Sequence, residues 1–407
     1  MLALRFLQFS DLHFESRDYE REWQCPEEKR KILEDEMKQV VEKIVTVARE
    51  YEVCAVLVAG DLFDGRTVSL EGVRFLQDCF RSAGDIQIFI VPGDQDCFGV
   101  SSLYNPELLK GIGMNPWPEN VHIFKEGPSS SILLPGSDDI AITGIPHIGR
   151  GLRRERPLAV PIPKDATRLN VLLLHGAFEE NGGSKAEATL CFNREEVHSQ
   201  HFDYIAFGHF HQGEEIRDEE GKVRAASSGC PYGLRTEEFG EKSVIVSEIE
   251  RGGIRPENIE RIRVAPRTVR EVKIHCNGLK RADSLRQRIE KGLHREKIEA
   301  TDLVHIRIEG QGSHQLAWRV YEESIREGYF LARLDTSGLR QKFDLRRYTR
   351  GVDTELTTEG LFVRKMKELL DSTENLQQLR AVEKALEWGL EALAGKTIEF
   401  NHENQEI

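Results

Sequence analysis

Acidic and histidine side chains recur in this sequence immediately after runs of apolar residues, and these two side-chain types bind divalent metal ions through oxygen and nitrogen. The apolar runs are typical of buried strands. Because the carboxyl ends of parallel strands meet at one edge of a sheet, we expect the polar side chains to lie close together. In chain order the motifs are Asp11-x-His13, Gly60-Asp61, Gly93-Asp94-Gln95-Asp96, His175-Gly176 and Gly208-His209-x-His211.

Two of these motifs place metal-binding side chains two residues apart. In an extended segment, residues i and i+2 face the same way, so Asp11 and His13 can present a carboxylate and an imidazole to one ion. His209 and His211 repeat that spacing. A single Gly-Asp pair is typical of a turn, and a single histidine after a strand is typical of a structural residue. The recurrence of both types after apolar strands favours a metal site instead.

Alternating strands and helices must position these side chains. Strand patterns at residues 4–9, 53–59 and 86–91 are separated by helical patterns, and the longer helix opens at Cys25-Pro26-Glu27-Glu28. This order is typical of a sheet layered with helices. An apolar stripe at helical spacing is expected to bury the long helix in the core. The stripe comprises Ile32, Val40, Val41, Ile44, Val47 and Ala48.

Later strand patterns predict a second sheet and a second domain. Short strands expected at residues 121–124, 131–134 and 140–145 suggest the second sheet of a two-sheet sandwich. Further strands are expected at residues 169–174, 203–207, 243–249 and 259–264, and the last two close the first domain. Beyond Pro266 the predicted elements are strands at residues 269–276, 303–308 and 330–334 and helices at 282–293 and 316–325.

The 407 residues exceed the usual size of one domain, so we predict three parts. They are a first domain over residues 1–265, a small α/β capping domain over 266–350, and a helical tail over 351–407. Leucines at near-heptad spacing in the tail can dock a partner helix or pack on the same chain. The expected fold class is α/β, with a two-sheet β-sandwich flanked by helices, the small α/β domain and the tail.

Composition excludes several classes of protein. The chain is 39% hydrophobic and 31% charged, as in ordinary globular proteins, and no apolar run approaches the ~20 residues that span a bilayer. A strand pattern begins directly at the N-terminus, and the seven cysteines lack CxxC spacing, so we expect a cytoplasmic protein with reduced thiols.

The net charge of −13 argues against binding nucleic acid through bulk attraction, so any such contact must be local. Three basic stretches are candidates for that contact, although each is more typical of a solvated face. They are residues 150–156, the series Arg261, Arg263, Arg267 and Arg270, and residues 346–350.

The five motifs, in this order, resemble those of the calcineurin-like binuclear metallophosphoesterases, whose pattern is DxH, GD, GNH(D/E), GH and GHxH. The resemblance covers roughly the first 215 residues. Within that superfamily the length, the added α/β unit and the helical tail are similar to the SbcD and Mre-type DNA repair exonucleases, especially the YhaO-like branch. The resemblance implies the metallophosphoesterase fold and hydrolysis of a phosphodiester.

The resemblance also implies a site for two divalent ions. It places one ion on Asp11, His13, Asp61 and His211, and the other on Asp61, Asp94, His175 and His209, so that Asp61 bridges them. Two such ions can activate water, orient a phosphodiester and stabilise the attacking and leaving oxygens. Mixed carboxylate and imidazole ligands suit manganese, with iron and zinc as alternatives, and exclude a thiolate site.

The third motif departs from the family pattern, because Asp94-Gln95 stands where the family has Asn-His. Asp94 can still bind metal. Gln95 occupies the position of the family's catalytic histidine, but an amide cannot deliver a proton to the leaving group. General acid catalysis typically contributes about 10²–10⁴-fold, so activity on DNA is expected to be reduced. His147, which follows another strand pattern, is a candidate replacement, and a structural role for it is the alternative.

Three functions follow from these observations. The first is a metal-dependent, exonuclease-like DNA phosphodiesterase in DNA repair, which works with an SMC-like, SbcC-like ATPase at the tail. The sequence leaves open whether the chain forms a homodimer as its relatives do. The second is a catalytically weak or inactive DNA-end-binding subunit, suggested by Asp94-Gln95. The third is a phosphatase for a small molecule or a protein, against which the extra unit and the tail argue. No membrane association is expected.

Overall fold

The architecture was obtained as a computed structural model, which describes residues 3–127, 130–148, 155–179, 190–277, 279, 282–312, 325–341, 357–373 and 376–393. The strands are β1 (Leu4–Phe9), β2 (Ala55–Ala59), β3 (Gln87–Val91), β4 (Val121–Ile123), β5 (Ser131–Leu133), β6 (Ile140–Ile145), β7 (Leu169–His175), β8 (Ala177–Phe178), β9 (Cys191–Phe192), β10 (Tyr204–Gly208), β11 (Glu214–Arg217), β12 (Val223–Ser227), β13 (Ser243–Ile249), β14 (Glu260–Arg263), β15 (Val269–His275), β16 (Leu303–Gly312), β17 (Leu331–Asp335) and β18 (Leu339–Gln341).

The helices are α1 (Asp18–Trp23), α2 (Glu27–Glu50), α3 (Leu70–Ser82), α4 (Pro106–Gly111), α5 (Arg194–Ser199), α6 (Ala282–Arg295), α7 (Thr358–Ser372) and α8 (Leu376–Leu393). None of the helices in the described part of the chain is both long enough and apolar enough to cross a bilayer.

The first sheet has the strand order β14-β13-β1-β2-β3-β4. Strands β1 to β4 run parallel, whereas β13 pairs antiparallel with β1 and with β14. The predicted alternation of strands and helices is therefore confirmed over the first 91 residues. Because β1, β2 and β3 are parallel neighbours, the motifs that follow them emerge at the same edge of this sheet.

The second sheet has the order β11-β12-β10-β7-β6-β5, in which β6, β7, β10 and β12 run parallel. The strand predicted at residues 121–124 was expected here, and that expectation was wrong. This segment forms β4 and pairs with β3 of the first sheet, where Val121 lies opposite Ile88. A short apolar run specifies a strand, but it does not specify which strand it pairs with.

Both faces of each sheet are covered, as the β-sandwich prediction requires. One apolar core lies between the sheets and combines Phe6 and Phe89 of the first with Leu173 and Tyr204 of the second. A second core covers the opposite face of the first sheet with α2 and α3, and a third lies on the opposite face of the second sheet. The observed fold thus agrees with the predicted two-sheet sandwich flanked by helices.

The long helix α2 begins after Pro26, whose extended backbone and missing N–H suit a helix start. Five of the six residues of the predicted apolar stripe are buried in the core beside the first sheet. Ile32 is the exception, because its side chain is 43% exposed, and Leu33 and Met37 occupy the buried face of that part of the helix instead. The stripe was therefore predicted correctly except at its first residue.

The chain divides into two compact units. The first comprises Met1–Arg270, Glu299–Val304 and Tyr329–Leu331, and the second comprises Glu271–Ile298, His305–Gly328 and Ala332–Ile407. The second unit contains α6 and a packed pair of helices, α7 and α8, whose small core is Val363, Leu386 and Leu390. The predicted helix at residues 316–325 lies almost entirely outside the described residues. The three-part division of the chain stays a prediction.

The described arginines of the basic stretches are ion-paired with carboxylates of the chain itself. Arg156 pairs with Glu179 and Glu196. The other pairs are Arg261–Glu215, Arg263–Glu241, Arg267–Glu36 and Arg270–Asp302. Residues 150–154 and 346–350 lie outside the described residues. The positive charge of the described arginines is therefore balanced within the fold.

Candidate metal centre

All seven predicted metal ligands lie in loops or strand ends at the carboxyl edges of the two sheets, and the fold brings them together. They form two groups of donor atoms, and within each group the atoms lie within 4.8 Å of one another. The first group is Asp11, His13 and His211, and the second is Asp94, His175 and His209. A third combination, Asp11, Asp61 and His175, meets the same limit and joins the two groups.

Asp61 lies between the two groups. Its Oδ2 atom is 3.6 Å from His13 Nε2 in the first group and 3.4 Å from His175 Nε2 in the second. His13 Nε2 is in turn 3.1 Å from His211 Nε2, and His175 Nε2 is 3.0 Å from Asp94 Oδ1. One carboxylate atom therefore faces both groups, which is the arrangement expected of a ligand shared by two cations.

A backbone carbonyl fixes the orientation of the His175 ring. His175 Nδ1 donates a hydrogen bond to the carbonyl oxygen of Ala59, at 2.9 Å. A neutral imidazole that donates from Nδ1 keeps a lone pair on Nε2, and Nε2 is the atom that faces Asp61 and Asp94. The end of β2 thus orients a ligand that belongs to β7 in the other sheet.

Asp61 and His175 lie close enough to shift each other's pKa, with Asp61 Oδ2 3.4 Å from His175 Nε2. Burial is the largest influence and favours the neutral carboxyl, but the charge and hydrogen bond of His175, together with the charge of His13, outweigh it and lower the pKa of Asp61. Burial likewise favours the neutral imidazole, but Asp61 and Asp94 outweigh it and raise the pKa of His175 well above its usual range. A divalent cation can replace the His175 proton in this role, because metal binding releases protons from its ligands.

Glu238 is a functional residue that the sequence did not reveal. Its carboxylate accepts a hydrogen bond from His211 Nδ1 and two more from the backbone N–H groups of Leu234 and Arg235, at 2.6 and 2.9 Å. Burial raises the pKa of Glu238, but these hydrogen bonds outweigh burial and lower it to about 2. The ionised carboxylate holds the His211 ring with Nε2 toward the first group.

Replacing Glu238 by glutamine is expected to weaken metal binding by roughly 10–100-fold, because partners that orient a ligating histidine typically contribute that much. Calorimetric titration with Mn²⁺ measures the change. Glu237→Gln is the matched control, since Glu237 is the neighbouring residue and is exposed. Unchanged Mn²⁺ affinity in a folded Glu238→Gln protein would show that Glu238 does not position His211.

Four of the seven predicted ligands adopt positive backbone φ angles, which L-residues rarely use. The angles are 54° at Asp11, 48° at His13, 51° at Asp61 and 125° at His209. The prediction that Asp11 and His13 converge because their segment is extended was therefore wrong in its reason, although the two side chains do meet. Tight left-handed loops, not strand geometry, aim these ligands at the centre.

Glycines leave room for the ligands at the points of closest approach. A Cβ atom on Gly93 would overlap the Asp61 carboxylate, and a Cβ on Gly60 would overlap the His175 ring. Asp61 and His175 can therefore reach their observed positions only beside glycine.

The substitution Gly93→Ala is expected to displace Asp61 and to reduce Mn²⁺ affinity at least tenfold, because the added methyl group and the carboxylate cannot occupy the same volume. Gly111→Ala is the control, since nothing lies within 4 Å of a Cβ there. Both variants are compared by Mn²⁺ titration and thermal unfolding. Equal Mn²⁺ affinities would contradict the steric argument.

Gln95 lies inside the centre and is tied to two of the predicted ligands. Its backbone N–H donates to Asp61 Oδ1 at 2.9 Å, and its side-chain Nε2 donates to Asp94 Oδ2 at 2.8 Å. The second bond leaves Asp94 Oδ1 directed at His175 and His209. In this arrangement Gln95 positions a ligand.

His147, the proposed replacement acid, is buried behind the centre. Its Nε2 hydrogen-bonds to the carbonyl oxygen of His175 at 2.8 Å, and burial lowers its pKa to about 4. These contacts favour the structural alternative considered from the sequence. A catalytic role for His147 stays a prediction.

Asp96, the last residue of the third motif, is a structural residue. Its Oδ1 accepts from the Gly93 N–H at 2.6 Å, and its Oδ2 accepts from the Leu62 N–H at 2.8 Å and from the Tyr104 hydroxyl at 2.7 Å. The carboxylate thus joins the loop after β2 to the loop after β3, which carry Asp61 and Asp94.

The donor set fits a pair of divalent ions of the manganese, iron or zinc type, because it consists of carboxylate oxygens and imidazole nitrogens. Cys230 lies close to His211 and Glu238, and burial raises the pKa of its thiol well above the usual range. The two-sheet fold and this donor set together form a candidate centre for two divalent ions. Residues 4–213, just over half of the chain, match the calcineurin-like phosphoesterase model, and the chain belongs to that family, which binds two divalent metals.

Among curated proteins, the chain is similar to the uncharacterized metallophosphoesterase YhaO of Bacillus subtilis (strain 168), with 27% identity over 257 residues. That match covers 62% of this chain and 59% of the relative's length.

The solved structures that resemble this chain include two of low sequence identity. The protein TT1561 of Thermus thermophilus has 14% identity and a TM-score of 0.35, covering 65% of this chain and 100% of that one. A dimetal phosphatase from Danio rerio has 12% identity and a TM-score of 0.36, covering 64% and 99%.

Proposed function

We propose that this chain is a metal-dependent DNA phosphodiesterase, exonuclease-like and active in DNA repair in the cytoplasm, with two manganese ions at the centre. The observation that carries the proposal is the position of Asp61, whose Oδ2 faces both His13 and His175. Two divalent ions, when bound, supply Lewis acidity to the phosphate and activate water. The proposal adds that the substrate is DNA.

The residues of the chain have separate tasks in this proposal. Asp11, His13 and His211 would hold one ion, and Asp94, His175 and His209 the other, with Asp61 shared. Three carboxylates offset part of the charge of two divalent ions, so the centre keeps an attraction for a phosphate anion. Ala59 orients the imidazole of His175, and Glu238 orients that of His211. Gln95 orients the Asp94 carboxylate.

The parts of the chain outside residues 4–213 support DNA as the substrate in preference to a small phosphoester. The second compact unit and the α7–α8 pair are additions that a small-molecule phosphatase does not need. We propose that the helical pair binds an SMC-like, SbcC-like ATPase, and that the chain forms a homodimer.

A second candidate function is supported by Gln95. Its side-chain amide donates a hydrogen bond to Asp94, and an amide cannot act as an acid that delivers a proton to a leaving oxygen. The chain would then bind DNA ends with little or no cleavage.

One experiment separates these functions. Purified protein is loaded with Mn²⁺ and incubated with end-labelled single-stranded and double-stranded DNA, while binding is measured by fluorescence anisotropy. We expect cleavage that requires Mn²⁺, is lost in His175→Ala and is kept in His294→Ala, a control at an exposed histidine of α6. DNA binding without cleavage supports the second candidate, and hydrolysis of nucleotides with none of DNA overturns both.

A further inference from the structure

The short helix α1 lies between the segments that carry and orient the two histidines of the first donor group. It follows His13 closely in the chain, and the backbone N–H of Ser16 in the connecting turn donates to the His13 carbonyl oxygen at 2.8 Å. The helix also contacts residues 234–236, which precede Glu238 in the loop between β12 and β13. His13 and His211 are 198 residues apart in sequence, yet their Nε2 atoms are 3.1 Å apart.

Two side chains of α1 bind the backbone of residues 234–236. Trp23 Nε1 donates a hydrogen bond to the carbonyl oxygen of Leu234 at 2.6 Å. Glu22 Oε2 accepts from the backbone N–H of Thr236 at 2.9 Å and from its hydroxyl at 3.2 Å. Trp23 and Thr236 are buried, and a hydrogen bond is stronger where water is excluded. These bonds therefore fix the segment to α1.

The same segment holds the carboxylate of Glu238. The backbone N–H groups of Leu234 and Arg235 donate to Glu238 Oε2, and Glu238 accepts from His211 Nδ1. Three successive backbone N–H groups thus bind two carboxylates, one from this loop and one from α1. A shift of the segment would move Glu238 and, with it, the His211 ring.

The second donor group is oriented from other parts of the fold. The carbonyl oxygen of Ala59 in β2 orients His175, and the Gln95 side chain orients Asp94. A change in α1 should therefore affect the two ions unequally.

We propose that Glu22 and Trp23 are positioning residues for the first metal ion. They hold residues 234–236 in place and, through Glu238, direct His211 Nε2 toward that ion. The inference rests on the two-ion centre of the proposed function and is independent of which phosphoester is the substrate. It requires a selective effect on one ion, whereas a merely structural role would weaken the binding of both.

The test measures Mn²⁺ affinity with the full chain, by following free Mn²⁺ in a titration with electron paramagnetic resonance. Two backgrounds assign the ions, since His175→Ala keeps the first donor group intact and His13→Ala keeps the second. Glu22→Ala, Glu22→Gln and Trp23→Phe are introduced into each background. The control is Arg21→Gln, at an exposed residue of the same helix.

We expect Glu22→Ala and Trp23→Phe to weaken Mn²⁺ binding about tenfold in the His175→Ala background and less than about twofold in the His13→Ala background. Glu22→Gln should stay near the parent affinity, because its amide oxygen can still accept from the Thr236 N–H. Arg21→Gln should change neither affinity.

A double substitution tests whether the effect passes through Glu238. Within the His175→Ala background, Glu22→Ala should weaken Mn²⁺ binding little further once Glu238 is replaced by glutamine, because residues that act through a shared partner are not additive. Additive losses would overturn the inference.

Equal weakening in the two backgrounds would overturn the inference as well. So would a loss in Glu22→Gln as large as that in Glu22→Ala, because the charge of Glu22 and not its hydrogen bond would then matter. Should Trp23→Phe fail to fold, the two Glu22 variants decide the question. Selective weakening of the first ion in a chain that cleaves no DNA would support the inference and overturn the proposed function. Mn²⁺-dependent DNA cleavage without selective weakening would do the reverse.

Discussion

Replacing Asp61 by asparagine is expected to reduce phosphodiester hydrolysis by about 10³-fold or more and to lower the number of Mn²⁺ ions bound per chain from two to at most one. The reason is that Asp61 Oδ2 lies within 3.6 Å of a histidine of each donor group, so both ions lose a charged ligand at once. Lewis-acid stabilisation lowers the barrier by several kcal/mol, and each 1.36 kcal/mol changes the rate tenfold.

Metal content of the Asp61→Asn protein is measured by mass spectrometry after gel filtration, and activity is measured with a p-nitrophenyl diester. Asp64→Asn is the matched control, because Asp64 lies three residues further on and caps a turn by accepting from the Arg66 N–H, which asparagine can also do. Two bound ions and near-native hydrolysis in Asp61→Asn would contradict the shared-ligand arrangement.

Replacing Gln95 by histidine is expected to raise cleavage of DNA relative to a p-nitrophenyl diester by about 10²–10⁴-fold. A histidine can donate a proton to the poor leaving oxygen of DNA, whereas p-nitrophenolate leaves without one. The position is suitable, because the Gln95 backbone already donates to Asp61 and its side chain reaches Asp94. The measurement is the ratio of kcat/KM for the two substrates.

Gln95→Ala separates proton donation from ligand positioning. It removes the hydrogen bond to Asp94 Oδ2 without adding an acid, so it should weaken Mn²⁺ binding and leave the substrate ratio unchanged. If the histidine and alanine variants give the same ratio, the absence of an acid at residue 95 does not limit DNA cleavage.

The sequence predicted which residues meet, because the periodicity of the chain placed each motif after a strand and parallel strands end at a common edge. The division of the ligands between two ions was implied only by the family resemblance, and the structure groups the donor atoms of Asp11, His13 and His211 and those of Asp94, His175 and His209. The β-sandwich followed from the same strand patterns. The common edge and the β-sandwich were predictable because they depend on local residue type and on the order of elements.

Other features depend on contacts between distant parts of the chain. Glu238 reaches His211 from 27 residues away, and no spacing rule links a glutamate in that loop to a histidine. The pairing of β4 with β3, in place of a strand of the second sheet, reflects tertiary packing that a strand of three residues does not encode. The hydrogen bond from Gln95 to Asp94 likewise depends on a side-chain rotamer set by the folded environment.

The left-handed backbone at Asp11, His13, Asp61 and His209 limits how much mutation the fold can tolerate. Strained residues of this kind cost roughly 1–3 kcal/mol each, while whole domains are stable by only about 5–15 kcal/mol. The loops that give the centre its geometry therefore lower the stability margin of the ion-free fold. Bound ions restore that margin, because a ligand that binds only the native state shifts the unfolding equilibrium toward it. Cellular abundance of the chain should accordingly follow metal supply.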